Sequence, residues 1–239
     1  MNMRNLTYEV FEKIKVSRPV NRYKFICEAV KGKVVLDLGC LDETAYSLKG
    51  STDTWLHKLI CDHAKYVYGV DNSNIIPEEG IRPFKNSIIY KHDVYDLHAI
   101  IEKIDEIDII IAGELIEHLP DVQLFLKNIK SIGKLKDKPF IVTTPNGCST
   151  HNVIIGMFNM ENNHPDHVNL FSYKILYTLS TRTGFCEWDL IPCYSIFNEM
   201  KLKSTGFKKI AVTVFQSVVN LIEYVFPMLS AGWIVKIRI

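Results

Sequence analysis

The sequence has no Cys-x-x-Cys pair. Its six cysteines stand singly at positions 27, 40, 61, 148, 186 and 193, which argues against a zinc ribbon or a dithiol redox site and leaves isolated, reduced thiols as the expectation. An excess of either charge is also missing: 28 Lys+Arg stand against 27 Asp+Glu, for a formal net charge of +1. Such a balance speaks against a nucleic-acid partner, whose affinity needs a clustered basic surface. The nearest basic run, Lys127, Lys130, Lys134, Lys136 and Lys138, reads as the solvated face of a helix and its exit. There is no G-x-G-x-x-G and no G-x-x-x-x-G-K-[ST], so dinucleotides and nucleoside triphosphates lose their usual phosphate cradles. The first fifteen residues, MNMRNLTYEVFEKIK, lack an apolar leader, and the chain is expected to stay in the cytoplasm. Residues 210–229 approach membrane-span length, but Gln216, Asn220, Glu223 and Pro227 interrupt them. A buried amphipathic helix is expected there, with no transmembrane span.

With 47% hydrophobic residues the chain can bury a large core, and no repeat or Pro/Gly/Ser-rich linker divides it. Short β-rich apolar runs at 33–38, 66–70, 87–91, 107–112 and 139–144 alternate with helical patterns at about 52–64, 97–103 and 120–132. In the last of these, Val122, Phe125, Leu126 and Ile129 share one face. An Asn- and His-rich loop at 145–169 leads to a helix at 172–183, a strand-like run at 185–197, a helix at 207–226 and a final strand at 232–239. Alternation of this kind predicts an α/β fold: a Rossmann-like, seven-stranded, mostly parallel sheet with helices on both faces and the last strand antiparallel. The expected organisation is one domain over 1–239, comprising a helical segment at 1–32, a cofactor-binding half at 33–145, and an acceptor loop with closing strands at 146–239. Ligands of such sheets sit at the carboxyl ends of the strands.

Those ends carry acids and glycines. The first run closes with Asp37-Leu38-Gly39-Cys40, the second with Gly69-Val70-Asp71-Asn72, the third with His92-Asp93-Val94 and the fourth with Gly113-Glu114. An acid after the second strand can accept hydrogen bonds from both hydroxyls of a ribose, and one after the third can take an adenine amine. A nucleoside ligand without phosphate, S-adenosylmethionine, fits this pattern. In these runs the sequence resembles the class I S-adenosylmethionine-dependent methyltransferases, over roughly residues 30–185. Glu114-Leu115-Ile116-Glu117-His118-Leu119-Pro120, then Thr144-Pro145-Asn146 and Asp166-His167-Val168-Asn169, resemble the branch holding ubiquinone-pathway O-methyltransferases and enzymes that modify surface sugars.

That resemblance implies Asp37, Gly39, Cys40, Trp55, Asp71, Asn72, His92, Asp93, Val94, Gly113 and Glu114 as the cofactor site. The family's first motif continues Gly-x-Gly, whereas Cys40-Leu41-Asp42-Glu43 opens an insertion here. The methionine end of the cofactor is then expected at another loop, with backbone N–H groups near 53–56 as candidates. Glu114, Glu117 and His118 are spaced to share one face of a helical turn and, with His167, form a candidate site for Mg or Mn. His118, His167 and Glu114 are the catalytic candidates, a histidine serving as base for an alcohol acceptor. The expected reaction is O-methylation of a small-molecule acceptor, such as a sugar or phosphorylated precursor of a surface polysaccharide. Alternatives are an RNA ribose methylase and a catalytically inactive binding module. A homodimer through the apolar 212–226 helix is the remaining partner expectation.

Overall fold

The computed structural model describes residues 6, 9, 11–43, 46, 55–197, 200–201 and 204–239. Seven strands form one sheet: β1 (Val34–Leu38), β2 (Tyr66–Asp71), β3 (Ser87–Lys91), β4 (Ile109–Gly113), β5 (Pro139–Pro145), β6 (Glu187–Cys193) and β7 (Gly232–Arg238). Their spatial order is β3-β2-β1-β4-β5-β7-β6, with β7 antiparallel to both neighbours and the other pairings parallel. The predicted seven-stranded sheet with an antiparallel last strand is therefore the observed one. The order reverses between β1 and β4, which opens a crevice at their carboxyl ends.

Helices α1 (Arg22–Val30), α2 (Leu56–Cys61), α3 (His98–Glu102), α4 (Val122–Ser131), α5 (Thr150–Gly156), α6 (Tyr173–Thr183) and α7 (Gly206–Val225) accompany the sheet. Because strand side chains alternate, Leu36, Ile110, Phe140 and Val235 pack with α3, α4 and α6, while Val35, Ile109, Ile111 and Ile141 pack with Ile26 and Val30 of α1 and Ile60 of α2. Helix starts follow capping chemistry: the side chains of Asn21, Asp121, Ser149 and Ser172 accept from backbone N–H groups of the first turns of α1, α4, α5 and α6.

Two segments differ from expectation. The Asn/His-rich loop contains α5, a helix of two turns too short for periodicity to reveal. Helix α7 is not the buried helix predicted: Val219 and Glu223 are its only buried residues among those described. The first residues of the predicted 52–64 helix, with Asp53 and Thr54 as candidate cofactor donors, lie outside the described residues. No helix among the described residues is long and apolar enough to cross a membrane.

Candidate functional site

The crevice begins at Gly39, whose φ of +64° belongs to the left-handed region that glycine occupies without strain. A Cβ there would stand 2.6 Å from Leu115 Cδ1, so the position is closed to side chains twice over. Two residues on, Leu41 N donates to Asp71 Oδ2 at 2.9 Å, and Ser73 N donates to Asp71 Oδ1, also at 2.9 Å. Asp71 thereby ties the loops after β1 and β2 together and keeps further acceptor capacity on each oxygen. Its burial raises the carboxyl pKa, and the two N–H donors oppose that rise. His92 N donates to the Asp71 carbonyl at 2.9 Å, and His92 Nε2 is buried with no partner among the described residues. Asp93 is exposed and accepts from Tyr95 N at 2.9 Å; Asn72 is exposed beside it, and Val94 is buried.

Three implied cofactor contacts take a different form. Asp37 is 2% exposed and its Oδ2 lies 2.7 Å from Nδ1 of the equally buried His57, so the carboxylate is engaged inside the fold rather than at the crevice. Cys40 and Trp55 are buried with Ile76 and Ile89, and the Trp55 indole N–H donates to the Cys40 carbonyl at 2.8 Å. Trp55 and Cys40 are thus packing residues that shape the loop after β1; their burial leaves no side-chain surface for a ligand. Burial pushes the Cys40 thiol well up, which keeps it an inert thiol.

The Glu114 region also departs from the helical-face expectation. Glu114 has a φ of +53°, and the single 3₁₀ turn that follows is Ile116–His118, so Glu114 stands off the turn. A left-handed glutamate is strained. Its carboxylate pairs with Arg22 of α1 and accepts from Thr143 Oγ1 at 3.1 Å. Arg22, absent from the sequence expectations, lines with Tyr23, Glu114, Pro145, Tyr194 and Ile196 an open cavity of about 170 Å³ at the carboxyl ends of β4, β5 and β6.

Glu117, His118 and His167 come together instead, with ligand-capable atoms within 4.8 Å of one another. The backbone makes this meeting: Val168 N and Asn169 N donate to the Glu117 carbonyl at 2.9 and 3.1 Å, and Asn169 Nδ2 donates to the Leu119 carbonyl at 2.6 Å. The loop carrying His167 is thus stitched to the turn carrying Glu117. The His118 and His167 rings meet edge to face with centroids 4.7 Å apart, and His164 joins them at 6.1 and 5.6 Å. Burial, then the neighbouring His118 and His164, lowers the His167 pKa and favours neutral imidazole, the form that accepts a proton or binds a cation.

Glu117 is 1% exposed; Thr144 Oγ1 donates to its Oε2 at 2.9 Å, while Oε1 is buried with no partner among the described residues. Burial, reinforced by Glu114, pushes its carboxyl up to about 8. A raised folded-state pKa means the fold holds a proton that the unfolded chain has released. That contribution is complete below the ordinary carboxylate range and is lost as pH rises to about 8. The metal-free protein is therefore expected to lose Tm between about pH 5 and about pH 8. Glu117→Gln should reduce that slope, leaving the smaller parts due to Asp71 and Glu223, whose pKa values burial also raises. An unchanged Tm-versus-pH slope in Glu117→Gln would refute this origin.

Comparison with known proteins adds a fold and a relationship. No protein-family model matches the chain. Ubiquinone biosynthesis O-methyltransferases of several Coxiella burnetii strains are 29% identical over 125 residues, 51% of this chain and 49% of theirs. The chain spans about half the length of the curated relatives it matches. Among solved structures, the small RNA methyltransferase HEN1 superposes with a TM-score of 0.54 at 13% identity, covering 95% of this chain and 27% of that one. A methyltransferase from Archaeoglobus fulgidus reaches a TM-score of 0.49 at 14% identity, over 91% of this chain and 94% of that one. The chain thus shares its fold with the solved HEN1 methyltransferase and, over 125 residues, is similar in sequence to ubiquinone biosynthesis O-methyltransferases.

Proposed function

We propose that the chain methylates a hydroxyl of a small-molecule acceptor, at a site assisted by a divalent ion such as Mg or Mn. The observation that carries this reading is the convergence of Glu117, His118 and His167 on the sheet edge that also presents Asp71. Likeness to ubiquinone biosynthesis O-methyltransferases supports oxygen as the methylated atom. The run Asp166-His167-Val168 supports, by its resemblance to enzymes of surface sugars, a sugar or phosphorylated precursor as the acceptor class. HEN1 acts on small RNA, which makes RNA ribose the second acceptor to test; the net charge of +1 speaks against it.

The residues present fit both groups. A ligand with a ribose finds acceptor capacity at Asp71 and an orphaned imidazole nitrogen at His92. A hard or borderline cation finds the Glu117 carboxyl with one unpartnered oxygen and the His118 imidazole, with the His167 ring beside them. When bound, S-adenosylmethionine supplies a methyl group on a sulfonium and the ion lowers the pKa of an acceptor hydroxyl. Glu117 and His118 would hold the ion; His167, kept neutral by its surroundings, is placed to take the hydroxyl proton at a ring nitrogen. Arg22 and Glu114 offer charges of both signs to orient an acceptor in the cavity they line. The test is formation of S-adenosylhomocysteine with hydroxylated sugars, sugar phosphates and catechols as acceptors, with and without a chelator. Turnover that the chelator removes and Mg or Mn restores is expected; chelator-resistant turnover would discard the ion, and turnover on amines alone would discard oxygen as the acceptor atom.

A further inference from the structure

Helix α7 is amphipathic in the inverse sense. Two of its polar residues face the protein and are bonded there: Glu223 accepts from Ser195 N at 3.0 Å and from Ser195 Oγ at 2.6 Å, and Gln216 Oε1 accepts from Phe197 N at 3.4 Å. Those bonds fix which face looks outward. The outer face carries Phe207, Ile210, Val214, Val218, Leu221 and Val225, spaced at three and four residues and each between 51% and 83% exposed. The turn that follows α5, a helix packed beside α7, adds exposed Met157 and Phe158. An apolar surface of this extent marks a contact with something outside the fold.

Charge selects the occupant. Exposed Lys208 and Lys209 stand at the amino end of the stripe, and Arg18 lies over the Tyr224 ring at 4.5 Å at the other end, donating to the Tyr224 carbonyl. The helix carries one acid, Glu223, and that is buried. Two copies paired across the stripe would bring like charges together: lysines against lysines in a parallel pairing, lysines against the Arg18 end in an antiparallel one. An anionic surface meets all three cations favourably. We propose that α7 docks this protein on an anionic lipid surface, lying in the interface with its six apolar side chains at the acyl boundary and Lys208, Lys209 and Arg18 among the headgroups. Tyr194 and Ile196, which line the cavity beside Arg22, flank Ser195, the residue that anchors α7. Docking would therefore hold the cavity close to the lipid surface.

The experiment is sedimentation of the full chain with vesicles of phosphatidylglycerol and phosphatidylcholine, against pure phosphatidylcholine, with molar mass measured in parallel by light scattering. Binding to the anionic vesicles that weakens with added salt is expected. Lys208→Ala with Lys209→Ala should lower that partition about 30-fold, from about one factor of five per lysine near the surface. Val214→Asp with Leu221→Asp should lower it on the order of 100-fold. Both pairs are exposed, so an unchanged Tm and circular dichroism spectrum are expected to accompany the loss. Sedimentation no greater than without vesicles would overturn the proposal. So would a dimer that Val214→Asp with Leu221→Asp converts to monomer, since a second copy would then be the occupant. None of these readouts uses methyl transfer, so failure here leaves the proposed reaction standing.

Discussion

Glu117→Gln is expected to lower turnover by about 10²-fold or more while leaving affinity for S-adenosylhomocysteine within about threefold. The split follows from where the side chain lies. Its carboxyl is buried beside His118 and His167, with Oε2 held by Thr144 and Oε1 without a partner among the described residues, while the hydrogen bonds to Asp71 come from Leu41 and Ser73. Glutamine keeps the shape and one acceptor for Thr144, so the turn that receives the His167 loop through backbone bonds should remain folded. What disappears is the ionisable carboxyl, whose proton a cation would displace, and with it the capacity to hold that cation beside His118 and the acceptor. His167→Ala should lose a comparable factor, because the ring that accepts the proton is gone. Steady-state kinetics with calorimetric titration of S-adenosylhomocysteine checks both. Equal losses of turnover and cofactor affinity would indicate general disruption instead.

Asp71→Ala should have the opposite profile: cofactor affinity falls by about 10- to 100-fold, from the loss of hydrogen bonds to a charged acceptor, each worth about 1.5–3 kcal/mol. Stability falls too, since Leu41 N and Ser73 N lose the oxygens they donate to at 2.9 Å. Asp71→Asn is the sharper variant. An amide offers one oxygen and one NH₂ where two N–H groups already point inward, so it repels one donor that aspartate accepted. Asn should therefore fail to rescue the alanine variant in either affinity or Tm, whereas Glu117→Gln keeps its fold. Calorimetry and thermal melts on the same preparations separate the two effects.

These sites were legible in the sequence to different degrees, for physical reasons. The sheet was readable because its buried strands are near-continuous apolar runs; Ile109-Ile110-Ile111 can be little else between two helices. Asp71 and Gly39 were readable because they end such runs. The partners were not. Arg22 reaches Glu114 from helix α1, about ninety residues away in sequence, and His57 reaches Asp37 in the core, and neither contact leaves a trace in local spacing. Treating residues 114–118 as one helical turn failed because Glu114 takes a left-handed conformation that a glutamate rarely adopts. Periodicity found α7 and its two faces but assigned the apolar one inward. A period states that two faces exist, and only the bonds of Gln216 and Glu223 to the loop after β6 decide which one meets the protein.

The central claim is that the crevice between the ends of β1, β2 and β4 is a nucleoside site for S-adenosylmethionine. Isothermal titration with S-adenosylhomocysteine measures it most directly. One-to-one saturable binding is expected, displaced by S-adenosylmethionine and accompanied by a rise in Tm that tracks ligand concentration, worth about 2.7 kcal/mol at one hundred times the dissociation constant. Asp71→Ala should weaken it, and Glu117→Gln should not. The absence of both heat and Tm shift at millimolar ligand would contradict the assignment.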